Sequence, residues 1–403
     1  MVAALQARVV CGALRYQAML LGSERLLESN RLRGLRVGVV ANPASIDGSF
    51  RHVIDRIATA EEVTLAAIFG PQHGFRSDLQ DNMIETPHTE DRGRRVPIYS
   101  LYSETREPTA EMLTGLDVLV VDLQDIGARI YTFVYTMANC LRAAKRHGLK
   151  VIVCDRPNPI GGMAVEGPIL EHGFESFVGQ FAIPMRHGMT IAELARMFNA
   201  HFGLGADLEV VTMEGWSRNQ YWDDTGLPWV MPSPNVPTDQ TAIVYPGTVL
   251  FEGTMLSEGR GTTRPFELLG APWIEAEPFA DRMNGVGLAG VHFRPAVFEP
   301  TFQKHCKVAC GGCQIHVTDR IAFKPVAAGA SLIREFVGVQ PDEFTWRPPP
   351  YEYEHDKMPI DILAGNATFR EQIEEQSPLL EIVGSWEAGE GAFRKIRERF
   401  LLY

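Results

Sequence analysis

A two-domain α/β fold, with a parallel sheet in the first half and a smaller α+β unit after it, is the class that this sequence predicts. Three observations predict it. Short runs rich in Val and Ile alternate with longer helix-patterned stretches, the runs are almost continuously apolar, and a cluster of prolines then breaks the alternation. Alternation of that kind marks βαβ units, and a strand covered by helices on both faces has no solvent side on which to keep polar residues.

The expected strands are RVGVVAN (36–42), VTLAAIFG (63–70), VPIYSL (96–101), LDVLVVDLQ (116–124) and KVIVCD (150–155). A helix is expected over 131–147. Another opens at Thr190, whose hydroxyl and the carboxylate of Glu193 three residues on form a capping box. Pro228, Pro232, Pro234 and Pro237 then fall within ten residues, which forbids a helix or a central strand there. The expected division is a lead-in over 1–22, a sheet domain over 23–243 and an α+β domain over 244–403. In the last, VHFRPAVF and CQIHVTD read as strands and 326–336 and 359–374 as helices.

At 403 residues the chain exceeds one ordinary core, and its 45% apolar content can fill two. A formal net charge of -12 disfavours nucleic acid, which is bound through Lys and Arg. No run approaches the roughly 20 apolar residues needed to cross a bilayer, so membrane insertion is not expected. Arg8 and Arg15 interrupt the apolar start, which reads as a lead-in rather than an export signal. Three of the six cysteines lie in apolar runs, as free thiols of a reducing compartment do, and a cytoplasmic location is the expectation.

In doubly wound sheets the site lies beyond the carboxyl ends of the strands. Four exits here are polar. They supply Asn42; then Gln72, His73, Arg76 and Asp78; then Asp122, Gln124, Asp125 and Arg129; then Asp155, Arg156 and Asn158. Each alone could merely cap a helix or shape a turn, whereas the set points to a small-molecule site. The glycine fingerprints for a dinucleotide or a nucleoside triphosphate are absent, and no cofactor is expected. Further on, Glu252, Glu258, Arg260, Arg264 and Glu267 alternate acid with arginine, a pattern suited to a hydroxyl-rich anion or to internal salt bridges. Cys306, Cys310, Cys313 and His316 could ligate zinc or iron, but they lie late in a mixed domain and read as ordinary thiols, so no metal is expected.

The motifs FGPQHGF, DLQDIGARIYT, DRPNPIGG, VEGP, RHGMTIAELA, LFEGT, LSEGRGTTRPFE and a terminal LLY occur in one order. In this the chain resembles the NamZ-like exo-β-N-acetylmuramidases, from about Glu24 to Tyr403. The resemblance implies a Rossmann-like N-terminal domain, a smaller C-terminal domain and a site in the cleft between them. It implies a glycoside hydrolase that releases N-acetylmuramic acid from the non-reducing end of peptidoglycan-derived sugars, and it adds Arg186 and His187 to the expected substrate-binding set. Relatives read GPEHG where this chain has Gln72, and their glutamate is the proposed acid. An amide cannot serve as that acid, and glycoside hydrolysis takes a pair of carboxyl groups. Glu85, in the same loop segment, is the expected replacement and Glu166 or Glu252 the other member of the pair, with Gln72 and His73 beside them. The alternatives are a carbohydrate-binding protein that has lost turnover and, from the cysteines, a redox enzyme.

Overall fold

The computed structural model describes residues 19–81 and 83–403; most of the lead-in expected over 1–22, with Cys11, lies outside the described residues. Seven strands form one sheet: β1 (Arg36–Ala41), β2 (Thr64–Gly70), β3 (Thr89–Asp91), β4 (Val96–Ser100), β5 (Val118–Asp122), β6 (Lys150–Cys154) and, beyond the two-stranded β7 (Glu166–Ile169) and β8 (Pro184–Arg186), β9 (Leu208–Val211). Their order is β3-β4-β2-β1-β5-β6-β9, parallel throughout except for the short edge strand β3. The five expected strands are present, each a residue or two shorter at its ends.

Alternation along the strands splits the apolar side chains between two cores, because successive residues face opposite sides of a sheet. Val40, Leu119 and Val121 face the helix Phe133–His147, whereas Val37, Val39, Val118 and Val120 face the helix Val53–Ala58. The first of these helices ends where Gly148 turns left-handed at φ 66°. The helix Ile191–Ala200 carries the expected capping box of Thr190 and Glu193. From β1 the chain runs outward through β2 to β4 and then returns to lay β5 on the other flank of β1. That reversal opens a crevice above the carboxyl ends of β2 and β5.

The second half holds an antiparallel sheet of β10 (Leu268–Ala271), β12 (Cys310–Val317) and β11 (Val291–Phe298), in the order β10-β12-β11. Cys310 and Cys313 are buried within β12 while Cys306 and His316 are exposed. Among the described residues no cluster of three or more His, Cys, Asp or Glu is placed to hold a metal. None of the described helices is long and apolar enough to cross a membrane. The helices Asp239–Thr248 and Pro325–Val339 touch through glycines: a Cβ on Gly247 would lie 1.8 Å from the Pro325 carbonyl oxygen. The first of these helices runs directly into the 3-10 turn Val249–Gly253, which carries Glu252.

The helix expected over 359–374 is two helices, Pro359–Ala364 and Thr368–Glu374, because Gly365 turns left-handed between them. A side chain at Gly365 would put its Cβ 2.9 Å from a nitrogen of Arg129. Arg129, expected among the substrate-binding residues, is placed in the interior. Fully buried, it donates to the carbonyls of Pro168 at 3.0 Å, Ile183 at 3.2 Å and Leu363 at 2.7 Å, and desolvation pulls its pKa down to about 10.

The chain's last residues return to the first domain. Leu402 N–H donates to Glu193 at 2.8 Å, and the Tyr403 hydroxyl donates to Asp155 at 2.7 Å while accepting from Met213 N–H at 2.7 Å. Removing a hydroxyl that serves two buried partners costs about 1–3 kcal/mol. Tyr403→Phe is therefore expected to lower the unfolding free energy by that much, read as a lower denaturation midpoint at an unchanged denaturant slope, and an unaltered midpoint would show the tail to be energetically idle.

Candidate active site

Over the crevice lies a cavity with about 490 Å³ of non-atom space, part of it open to solvent. Segments distant in sequence build it, Ser233, Asn235 and Val236 of the proline-rich stretch among them. Gln72 and His73 come from the exit of β2, Tyr131 and Thr132 from the segment after β5, Glu252 and Arg260 from the second half, and Tyr351 and Glu352 from a turn near residue 350.

That turn is unusual. Tyr351 and Glu354 exchange backbone hydrogen bonds at 2.9 Å in both directions, and the two residues between them, Glu352 and Tyr353, have φ of 45° and 69°. Two consecutive positive φ values belong to the primed hairpin turns, where Asn and Gly are the residues of choice. Glu and Tyr hold such a conformation at a cost, and strain of this kind gathers at functional sites. Its effect is to point Tyr351 and Glu352 into the cavity.

The Glu352 carboxyl accepts from the Tyr102 hydroxyl at 2.9 Å and faces the Gln72 amide nitrogen at 3.4 Å. The Gln72 oxygen in turn accepts from the Thr132 hydroxyl at 2.8 Å, which fixes which way the amide points. Burial, reinforced by the negative charge of Glu252, pushes the Glu352 carboxyl up to about 7. Glu252 moves the other way. Burial opposes its ionisation too, but the Arg260 guanidinium and the Tyr351 hydroxyl, each 2.6 Å away, bring it below the ordinary carboxylate range.

Behind Glu252 the charges continue inward. Arg260 also faces Glu258 at 3.3 Å, and Lys304 donates to Glu258 at 2.8 Å and to the carbonyls of Phe251 at 2.8 Å and Leu256 at 3.0 Å. Two cations and two carboxylates are buried together. His73 donates from Nδ1 to the Leu79 carbonyl at 2.8 Å, and desolvation brings its pKa down to about 4, so it is a neutral ring at pH 7.

Of the residues expected from sequence, Gln72, His73, Glu252 and Arg260 line this cavity and Glu258 supports it. Glu85 does not line it. Its side chain is 50% exposed outside the mouth, paired with Arg106. Glu166 is buried elsewhere, accepting from Ala327 N–H at 2.8 Å, where it caps the helix Pro325–Val339. Arg76 and Asp78 edge a separate open hollow, and Arg264 is an exposed partner of Glu267.

Most of the polar strand exits tie the scaffold instead. Asp122 and Arg156 form a buried ion pair at 2.6 Å. Asn42 bonds the backbone of Gln124, whose own amide donates to the carbonyls of Asp125 and Pro157. Asn158 bonds the backbone of Met189 and Ile160, and Arg186 donates to the Ile160 carbonyl at 2.5 Å. Asp125 caps Gly127 N–H and stands 3.6 Å from His187, while Asp155 receives Thr190, Ala192 and Tyr403. Buried polar groups need such partners, and here the partners are the protein's own backbone and side chains.

Glu352, Tyr351, Tyr102 and Thr132 were not expected. The available signal was YEYE directly after three prolines, an alternation of aromatic and acid in a segment that can be neither helix nor central strand.

Two family models of the exo-β-N-acetylmuramidase NamZ cover the chain, the N-terminal one over residues 37–240 and the C-terminal one over 243–403. The chain is 45% identical over 373 residues to the peptidoglycan β-N-acetylmuramidase NamZ of Bacillus subtilis (strain 168), an alignment that takes in 93% of this chain and 88% of that protein. It resembles the crystal structures of two DUF1343 family proteins from Bacteroides fragilis NCTC 9343. One is 35% identical with a TM-score of 0.86 and the other 27% identical with a TM-score of 0.73, and in both cases the match covers 96% of this chain and 99% of the other. Two buried carboxyls shifted in opposite directions in a cleft, on a chain alike to these proteins along almost its whole length, lead to one conclusion: the chain belongs to the exo-β-N-acetylmuramidase NamZ family of glycoside hydrolases.

Proposed function

We propose that this protein releases N-acetylmuramic acid from the non-reducing end of peptidoglycan-derived sugars, with Glu352 as the general acid and Glu252 as its ionised partner. The observation that carries the roles is the opposite shift of two carboxyls in one cavity, since environments that push such pairs apart mark the acid and the base. Glu352 keeps its proton to near-neutral pH and gives it to the glycosidic oxygen. Glu252 stays negative, stabilises the positive charge that develops on the sugar ring and serves the attacking side of the reaction.

The amide of Gln72 takes no part in proton transfer in this reading. It orients Glu352 from one side while Tyr102 holds it from the other. The acid is thus supplied from the far end of the chain, and the change at Gln72 leaves turnover intact rather than turning the protein into a sugar-binding one. Arg260 has a buried Nη1 without a hydrogen-bond partner, and a lactyl carboxylate offers it one. The described cysteines are all free thiols, which supports a cytoplasmic site of action that cell fractionation reads directly.

Glu352→Gln is expected to lower kcat for a muramic acid disaccharide by roughly 10²- to 10⁴-fold, the usual worth of a positioned acid, while the fold and sugar binding persist. Full turnover by that variant would remove Glu352 from the mechanism. The kcat/KM profile should fall as pH rises through about 7, where Glu352 loses its proton, and on the acid side should fall only below the ordinary carboxylate range, where Glu252 gains one. Gln72→Glu places a third carboxyl beside Glu352. Like charge disfavours ionisation, so the alkaline limb of the profile is expected to move to higher pH, and a limb that stays put or moves down would contradict the contact.

A further inference from the structure

The turn that carries Glu352 straddles the mouth of the cavity. On its inner side Tyr351 is 1% exposed and bonded to Glu252, Glu352 itself is 3% exposed, and on its outer side Tyr353 is 49% exposed. Tyr353 is nonetheless held firmly. The Arg106 guanidinium lies 4.6 Å from the centre of its ring and 4.2 Å from that of Tyr102, and Phe177 backs the same guanidinium at 5.6 Å. Glu85 accepts from the Tyr353 hydroxyl at 3.2 Å and from Arg106 at 3.4 Å. A continuous set of contacts therefore runs from the Glu352 carboxyl through Tyr102 and Arg106 to an exposed aromatic ring.

We propose that the solvent-facing side of Tyr353, backed by Arg106 and anchored by Glu85, is the platform for the amino sugar on the reducing side of the scissile bond. The assignment rests on the reading of Glu352 as the acid. The group that receives its proton leaves with that sugar, so the sugar must lie within hydrogen-bond reach of Glu352. Phe133, Tyr245 and Phe266, which also line the cavity, are buried, and the exposed ring next to Glu352 is that of Tyr353. A pyranose presents an apolar face of C–H groups that packs on an aromatic ring. A ring already fixed by three neighbours loses little freedom when it is covered. Glu85 thus anchors the platform and leaves the proton transfer to Glu352.

The test compares two substrates in the full-length protein: a muramic acid β-linked to a second amino sugar, and the β-fluoride of N-acetylmuramic acid, whose leaving group is an ion with no ring to stack and little need of an acid. Tyr353→Ala is expected to lower kcat/KM for the disaccharide roughly three- to tenfold, leave the fluoride unchanged, and melt at the wild-type temperature. Tyr353→Phe, which keeps the ring, should restore the disaccharide rate. Equal loss on both substrates, or loss on neither, would overturn the platform while wild-type turnover of the disaccharide keeps the reading of the site. A wild-type protein that hydrolyses neither substrate overturns both.

Discussion

Arg260 is the interaction on which the site depends. Glu252 sits where burial alone would neutralise it, and a neutral Glu252 could neither face a developing positive charge nor raise its neighbour. The guanidinium, bonded to Glu252 and close to Glu258, makes the ionised state the stable one, and Lys304 closes the group by neutralising Glu258. Buried charges of this kind are tolerable only as a complete set. Removing one partner strands another charge in a low-dielectric interior, at a cost of several kcal/mol. The charge of Glu252 then acts across the cavity, adding to desolvation at Glu352, so one cation influences both carboxyls of the proposed acid/base pair.

The polar exits of the parallel sheet have a different task. Asp122 pairs with Arg156, Asn42 with the backbone of Gln124, and Asp155 with Thr190 and with Tyr403 at the chain's end. Their polarity is consumed internally. Arg129 does the same between the halves, with three carbonyls and no carboxylate.

In the proposed reading the site keeps its chemistry although a residue has changed at Gln72. The amide still lines the cavity, still bonds Thr132 and still faces a carboxyl, but that carboxyl belongs to Glu352, nearly 300 positions away. A strained turn holds it there, and the neighbouring Tyr351 binds the other carboxylate of the pair.

Local pattern by itself determined the parallel sheet, its five principal strands, the capped helix at Thr190 and the break at the prolines, because periodicity and capping act between residues close in the chain. The family was legible too, since its motifs are contiguous. Tertiary structure decided which carboxyls meet. Glu166 and Glu252 stand in similar glycine-flanked motifs, yet one caps a helix and the other faces the cavity. Glu352 reaches Gln72 through a left-handed turn that no propensity favours. Whether an acidic side chain ends as a cap, an ion pair or a proton donor depends on the charge and burial that distant segments bring to it, and that information lies in the packing rather than in any neighbourhood of the sequence.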